Sequence, residues 1–262
     1  MKRLIKLILL LQIVCIIEVF TVFKMTLLNG DAYNEYKTAF GEKMFYNKNG
    51  NGNTDTDSFI ITINGLSQAN IPTGCESVST VMVLNYFGIE ITTEEFIENF
   101  LTCKPFYREG GLLYGPDPQK AFPGNPFEKA SLGCFPQVII KALEAMKEQK
   151  YRGMKELTFV DESGTDLERL ERKFLKKGIP VLLWVTMDMN PSYGGMQYYL
   201  EDGSLYTWQA GEHCMVLCGY DAESYYLMDP LAEGEMVCYS RELVEERYEE
   251  MGKYAVVIYK KY

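Results

Sequence analysis

One histidine, His213, occurs in the 262-residue chain. Any reaction that needs a base titrating near neutrality has this imidazole and no other. A matching nucleophile lies far upstream, where Gln68-Ala69-Asn70-Ile71-Pro72-Thr73-Gly74-Cys75-Glu76 sets a cysteine after a Pro/Gly turn, at the start of an expected helix. A helix N-terminus offers unpaired backbone N–H groups and a positive potential. Both favour a thiolate and, beside it, the oxygen of a tetrahedral intermediate. An imidazolium nearby would lower the thiol pKa further. Downstream, Tyr225-Tyr226-Leu227-Met228-Asp229-Pro230 ends an apolar run in a carboxylate. His213 opens one expected strand and Asp229 closes the next, so antiparallel pairing brings them together. That contact fixes the tautomer that leaves one ring nitrogen for the thiol. Cys75 as nucleophile, His213 as base, Asp229 as orienter and Gln68 as an N–H donor to the oxyanion make the set a thiol hydrolase requires.

Each residue also has a plainer reading. Cysteines are commonly buried and inert, but Pro72 and Gly74 make a turn here rather than an apolar interior. Asp229 before Pro230 is a natural turn-former, and that role is compatible with orienting the imidazole. Glu212 adjoins His213, but neighbours on a strand point to opposite faces, so it is a poor orienter.

The elements that must position these residues fall into two halves. A strand is expected over 59–63, followed by a helix from Cys75 with Val78, Val81, Met82 and Tyr86 on its buried stripe and Gly88 at its end. Thr92-Thr93-Glu94-Glu95 is a capping box for a helix to about 101, and Pro136 opens another to 150. Thr165-Asp166-Leu167-Glu168 starts a further helix, stopped by Gly178. Between the second and third helices, residues 103–134 form a long Gly/Pro-rich loop, a candidate wall of a substrate cleft. Strands follow over 180–187, 213–220, 224–228, 236–239 and 254–259, with a hairpin turn at 200–205 and a helix over 241–251. Helices first and an antiparallel sheet second is an α+β layout. Trp184, Tyr193, Tyr206 and Trp208 are candidates to line the cleft, against the alternative of ordinary packing.

Three segments carry a resemblance: Gln68 with Pro72-Thr73-Gly74-Cys75-Glu76 and Val83-Leu84-Asn85-Tyr86-Phe87-Gly88; Gly211-Glu212-His213-Cys214-Met215-Val216-Leu217-Cys218-Gly219-Tyr220-Asp221; and Tyr226-Leu227-Met228-Asp229-Pro230. Pro123-Gly124-Asn125-Pro126 and Gly133-Cys134 add to it. Together they resemble the bacterial papain-like cysteine-peptidase-like family related to the double-glycine leader peptidases of bacteriocin exporters, in a free-standing, exported form. The resemblance covers about 58–262. It implies a papain-like fold, with the nucleophile on the helical half and His and Asp on the sheet, and the same four roles for Cys75, His213, Asp229 and Gln68. The leader peptidases carry Cys-Gly at the nucleophile, whereas Glu76 follows Cys75 here. They are also fused to transporter domains. Cleavage after Gly-Gly is therefore not implied.

Composition limits the rest. A formal net charge of -10 and a pI near 4.8 argue against a nucleic-acid partner, whose affinity comes from clustered Lys and Arg. Lys2, Arg3 and Lys6 precede an apolar stretch over 7–23, which reads as a signal anchor, or alternatively a cleaved signal peptide, over 1–24. Residues 25–57 read as a spacer, and the peptidase-like domain as 58–262. On this organisation the domain faces outward, tied to the membrane by its N-terminal segment or secreted. Of the seven cysteines, Cys103, Cys134, Cys214, Cys218 and Cys238 are expected mostly as buried thiols, with a Cys103–Cys134 disulfide as the alternative. Zinc-ligand spacing is lacking, and neither a metal nor a cofactor is expected. The expected activity is hydrolysis of a peptide or amide bond through an acyl-enzyme thioester. The alternatives are acyl transfer or cell-wall peptide cleavage by the same site, and a catalytically silent binding module on a peptidase fold.

Overall fold

The computed structural model describes residues 58–260. The expected anchor over 1–24 and spacer over 25–57 lie outside the described residues. Among the described residues, no helix is long and apolar enough to cross a membrane. The first half of the domain comprises β1 (Phe59–Ile60), α1 (Cys75–Tyr86), α2 (Thr93–Asn99), β2 (Cys103–Lys104), β3 (Tyr107–Glu109), β4 (Leu112–Tyr114), β5 (Phe122–Pro123), α3 (Pro136–Glu148), β6 (Leu157–Asp161) and α4 (Leu167–Lys173). The second comprises β7 (Val181–Thr186), β8 (Tyr193–Tyr199), β9 (Leu205–Ala210), β10 (Glu212–Tyr220), β11 (Ser224–Asp229), β12 (Glu235–Ser240), α5 (Arg241–Glu250) and β13 (Ala255–Lys260).

The continuous apolar runs become the centre of the main sheet. β7, β10 and β11 are buried along their whole length, as strands covered on both faces must be. The sheet order is β12-β11-β10-β7-β13-β6, all antiparallel, with β1 beside β10. α1 packs on β10 and β7, and α3 on β6 and β13. This is the expected α+β papain-like arrangement of a helical half against an antiparallel sheet.

α1 is buried almost all round rather than on one stripe: every residue from Cys75 to Leu84 is buried. Its small polar residues make this tolerable by bonding close to the backbone. Ser79 Oγ donates to Cys214 O at 2.9 Å and Thr80 Oγ1 to Glu76 O at 2.6 Å. Tyr86, expected on the buried stripe, instead lies at the surface and donates its hydroxyl to Gly178 O at 2.8 Å. Thr92 caps α2 by accepting the Glu95 N–H, as the capping box implied, and Pro136 starts α3. At α4 the cap position falls to Asp166, and Thr165 turns its hydroxyl to Glu162.

Other departures come from tertiary competition. The expected strand over 59–63 is reduced to Phe59–Ile60, paired with Tyr220 and Gly219. β7 takes the same edge of β10 from Leu217 onward, leaving β1 no room to extend. β6 closes the sheet at β13 and was not expected from sequence. The loop 103–134 is not structureless: Tyr114 of β4 pairs with Tyr199 of β8, joining the loop to the β8–β9 hairpin in a four-stranded sheet. Trp184 and Trp208 do not line a cleft. Trp184 is fully buried with its indole N–H on Cys134 O at 2.8 Å, and Trp208 packs on Phe135. Tyr206 tilts against Tyr198, and Tyr193 alone of the four is well exposed.

Trp184 joins β7 to the segment entering α3, so its loss removes both volume and the partner of a buried carbonyl. Trp184→Phe is expected to lower unfolding stability by about 2–4 kcal/mol, read as a drop in the urea midpoint at unchanged slope.

Candidate active site

Cys75 is the first residue of α1, and the turn before it is held from two directions. Gly74 N–H bonds Ile71 O at 3.0 Å, and Thr73 Oγ1 donates to Pro126 O at 3.2 Å. A side chain at Gly74 would place Cβ 2.4 Å from Ile71 Cγ2, so the turn requires glycine. Gln68 N–H bonds Pro230 O at 3.0 Å, stitching the loop before the nucleophile to the turn after Asp229. Gly65 permits this approach, because a Cβ there would fall 1.7 Å from Gly234 O.

His213 and Asp229 meet as the strand pairing required. The β10–β11 register sets Val216 opposite Met228, and His213 Nε2 lies 2.7 Å from Asp229 Oδ1. Both side chains are almost wholly buried. Asp229 Oδ1 also accepts the Leu231 N–H at 2.8 Å. Burial alone would raise the Asp229 pKa, but the hydrogen bond and charge of His213 and the Leu231 and Ala232 N–H groups hold it below the usual range. With Nε2 engaged, Nδ1 is the ring nitrogen left to move a proton.

The next residue along β10 meets the nucleophile. The backbone N–H of Cys214 faces the Cys75 sulfur. Cys75 nevertheless departs from the expected low-pKa thiolate. Its residue is 6 % exposed, and burial pushes the thiol well above its ordinary value, with the Glu76 and Glu212 carboxyls adding to the rise. The Cys214 N–H lowers it, but by less. Gln68 is buried too, with its amide at the long distance of 3.5 Å from Pro72 O and Oε1 without a partner among the described residues. One amide hydrogen stays unspent.

The feature that sequence reasoning missed is a pair of buried carboxyls beside the nucleophile. Glu76 Oε1 accepts the Cys134 N–H, and Oε2 accepts the Cys75 S–H at 3.4 Å. Glu212 turns to the same place, and one ligand atom from each of Cys75, Glu76 and Glu212 lies within 4.8 Å of the others. A Cβ on Gly133 would stand 2.4 Å from Glu212 Oε2 and 2.5 Å from Glu76 Oε1, so only glycine fits between them. The signal was present: Glu76 is the one charged residue of the otherwise uncharged run from Cys75 to Tyr86, and Glu212 opens the apolar run of β10. Cys103 and Cys134 are both free thiols, so the alternative disulfide is not formed.

Burial drives the Glu76 carboxyl up to about 7 against the pull of its hydrogen bonds, and Glu212 well above its ordinary value, with the Glu76 charge adding. In the unfolded chain Glu76 titrates near 4.5. The folded state therefore keeps a proton that the unfolded state has released, and this contribution to stability is complete below pH 4.5 and lost as pH rises through 7. Unfolding free energy should fall by about 3 kcal/mol on this account across that interval. Urea titrations at a series of pH values should show Glu76→Gln flattening the fall.

Comparison with known proteins agrees with this construction. A family model described as "Peptidase_C39 like family" matches residues 60–256. YvpB, an uncharacterized protein of Bacillus subtilis (strain 168), is 28% identical over 201 residues, covering 77% of this chain and 75% of that protein. A crystal structure of a candidate C39-like peptidase from Bacillus anthracis superposes with a TM-score of 0.65 at 25% identity, covering 78% of this chain and 98% of the other. With a buried His–Asp contact on the sheet, a cysteine at the head of the helix packed against it, and a match spanning most of its length, the chain belongs to the Peptidase_C39-like family.

Proposed function

We propose that the protein is a cysteine peptidase or amidase of papain-like type, acting on a peptide or protein substrate. The observation that carries this reading is the buried His213 Nε2–Asp229 Oδ1 contact of 2.7 Å, which leaves Nδ1 available to move a proton. The thiol is neutral at rest, so proton transfer accompanies attack rather than preceding it. His213 Nδ1 takes the thiol proton as Cys75 Sγ bonds to the carbonyl carbon, and Asp229 stabilises the resulting imidazolium. The Cys75 N–H at the helix terminus and the spare Gln68 amide hydrogen are the donors for the oxyanion. The imidazolium then protonates the leaving amine, giving a thioester. Water, deprotonated by the same imidazole, releases the acid and restores the thiol. An outward-facing location rests on the sequence of residues 1–24.

The burial of Cys75 and His213 favours a second reading, in which the fold serves as a binding module with a closed site. Turnover separates the two. With the full chain and a fluorogenic peptide library, Cys75→Ala and His213→Ala are each expected to lower kcat/KM by at least about 10³-fold, and Asp229→Asn and Gln68→Ala by about 10- to 100-fold. Cleavage that persists in Cys75→Ala, or no cleavage by the wild-type chain, would overturn the peptidase reading.

A further inference from the structure

The mechanism above uses neither Glu76 nor Glu212, yet both are buried against the nucleophile. Among the described residues neither forms an ion pair with Lys, Arg or His. Two carboxylates converging on one glycine in a low-dielectric interior cannot both remain charged without a counterion, so the pair must hold a proton. The hydrogen bonds show where. Glu76 accepts from the Cys134 N–H and the Cys75 S–H, which favours its anion. Glu212 Oε1 has no partner, which favours the neutral acid.

We propose that Glu76 is a positioning residue for Cys75: its carboxylate, with Glu212 protonated beside it, accepts the S–H and holds the nucleophile as a neutral thiol until a substrate engages it. The word nucleophile rests on the peptidase reading; the control of the thiol does not. Glu76 on α1 and Glu212 and Cys214 on β10 surround the sulfur, Cys134 bonds Glu76 through its N–H, and the more distant, exposed Cys103 thiol feels the Glu76 charge. Cys134 and Cys214 are themselves held neutral by burial and the thiol of exposed Cys103 is pushed up to about 11, so the carboxyl pair is the source of charge at this spot. His213 sits between Glu212 and Cys214 in sequence and is held by Asp229. On activation the proton goes to His213, and the bond to Glu76 Oε2 is given up.

The test is the pH dependence of Cys75 alkylation by iodoacetamide in the full chain, resolved by mass spectrometry of the Cys75 peptide. The wild-type midpoint should lie above the free-thiol value of about 8.5. Glu76→Gln should lower it by at least about one pH unit. Between pH 7, above which Glu76 is ionised, and the midpoint the rate should rise roughly threefold, since about tenfold more thiolate is partly offset by its weaker nucleophilicity. Glu212→Gln replaces a neutral group by a neutral group and should move the midpoint by less than half as much. Coincident wild-type and Glu76→Gln profiles, or an equal shift in Glu212→Gln, would overturn the proposal. A wild-type infrared carbonyl band of a protonated carboxyl at pH 8 (above the Glu76 value of about 7), lost in Glu212→Gln, checks the charge assignment without Glu76→Gln, and the absence of that band would also overturn it. Failure of the peptidase reading appears separately, as turnover that survives Cys75→Ala while the Glu76→Gln shift stands.

Discussion

The backbone of Cys214 holds the two halves of the domain in register. Its carbonyl accepts the Ser79 hydroxyl one turn into α1, and its N–H faces the sulfur at the head of the same helix. Side chains alternate across a strand, so this pair of contacts decides which residues of β10 meet the helix and which turn to β11. A slip of one residue would exchange His213 for its neighbours and leave Asp229 opposite the wrong side chain. Two contacts of the site follow from that anchoring: the imidazole reaches Asp229, and Glu212 reaches Glu76 and Cys75.

Such anchoring needs a helix that can approach a strand closely along its length. Ser77, Ser79 and Thr80 supply it, being small enough to be buried and, at Ser79 and Thr80, able to satisfy their hydroxyls on nearby carbonyls. The cost is electrostatic. A nucleophile placed this deeply is desolvated, and burial raises its pKa by more than the Cys214 N–H lowers it.

The parts of the fold legible in the sequence were those with local causes. The Thr92 cap, the Pro136 helix start, the buried runs of β7, β10 and β11, and the meeting of His213 with Asp229 all follow from short-range pattern and hairpin geometry. The place of Cys75 at a helix head is legible locally, whereas the burial that raises its thiol depends on residues far away in sequence. Cys134 reaches Glu76 across 58 positions, a contact that no periodicity encodes. β6 and the shortened β1 were missed for the same reason: each is decided by which neighbour takes an open sheet edge.

Gly133 has no side chain because two carboxyl oxygens occupy the place where its Cβ would stand. Its constraint is therefore borrowed from positions 76 and 212 rather than set by its own backbone. A lineage that exchanged Glu76 for a smaller residue would remove part of the barrier to alanine or serine at 133, and a lineage that kept both acids could not accept either. Positions 76, 133 and 212 should thus drift through evolution as one linked character.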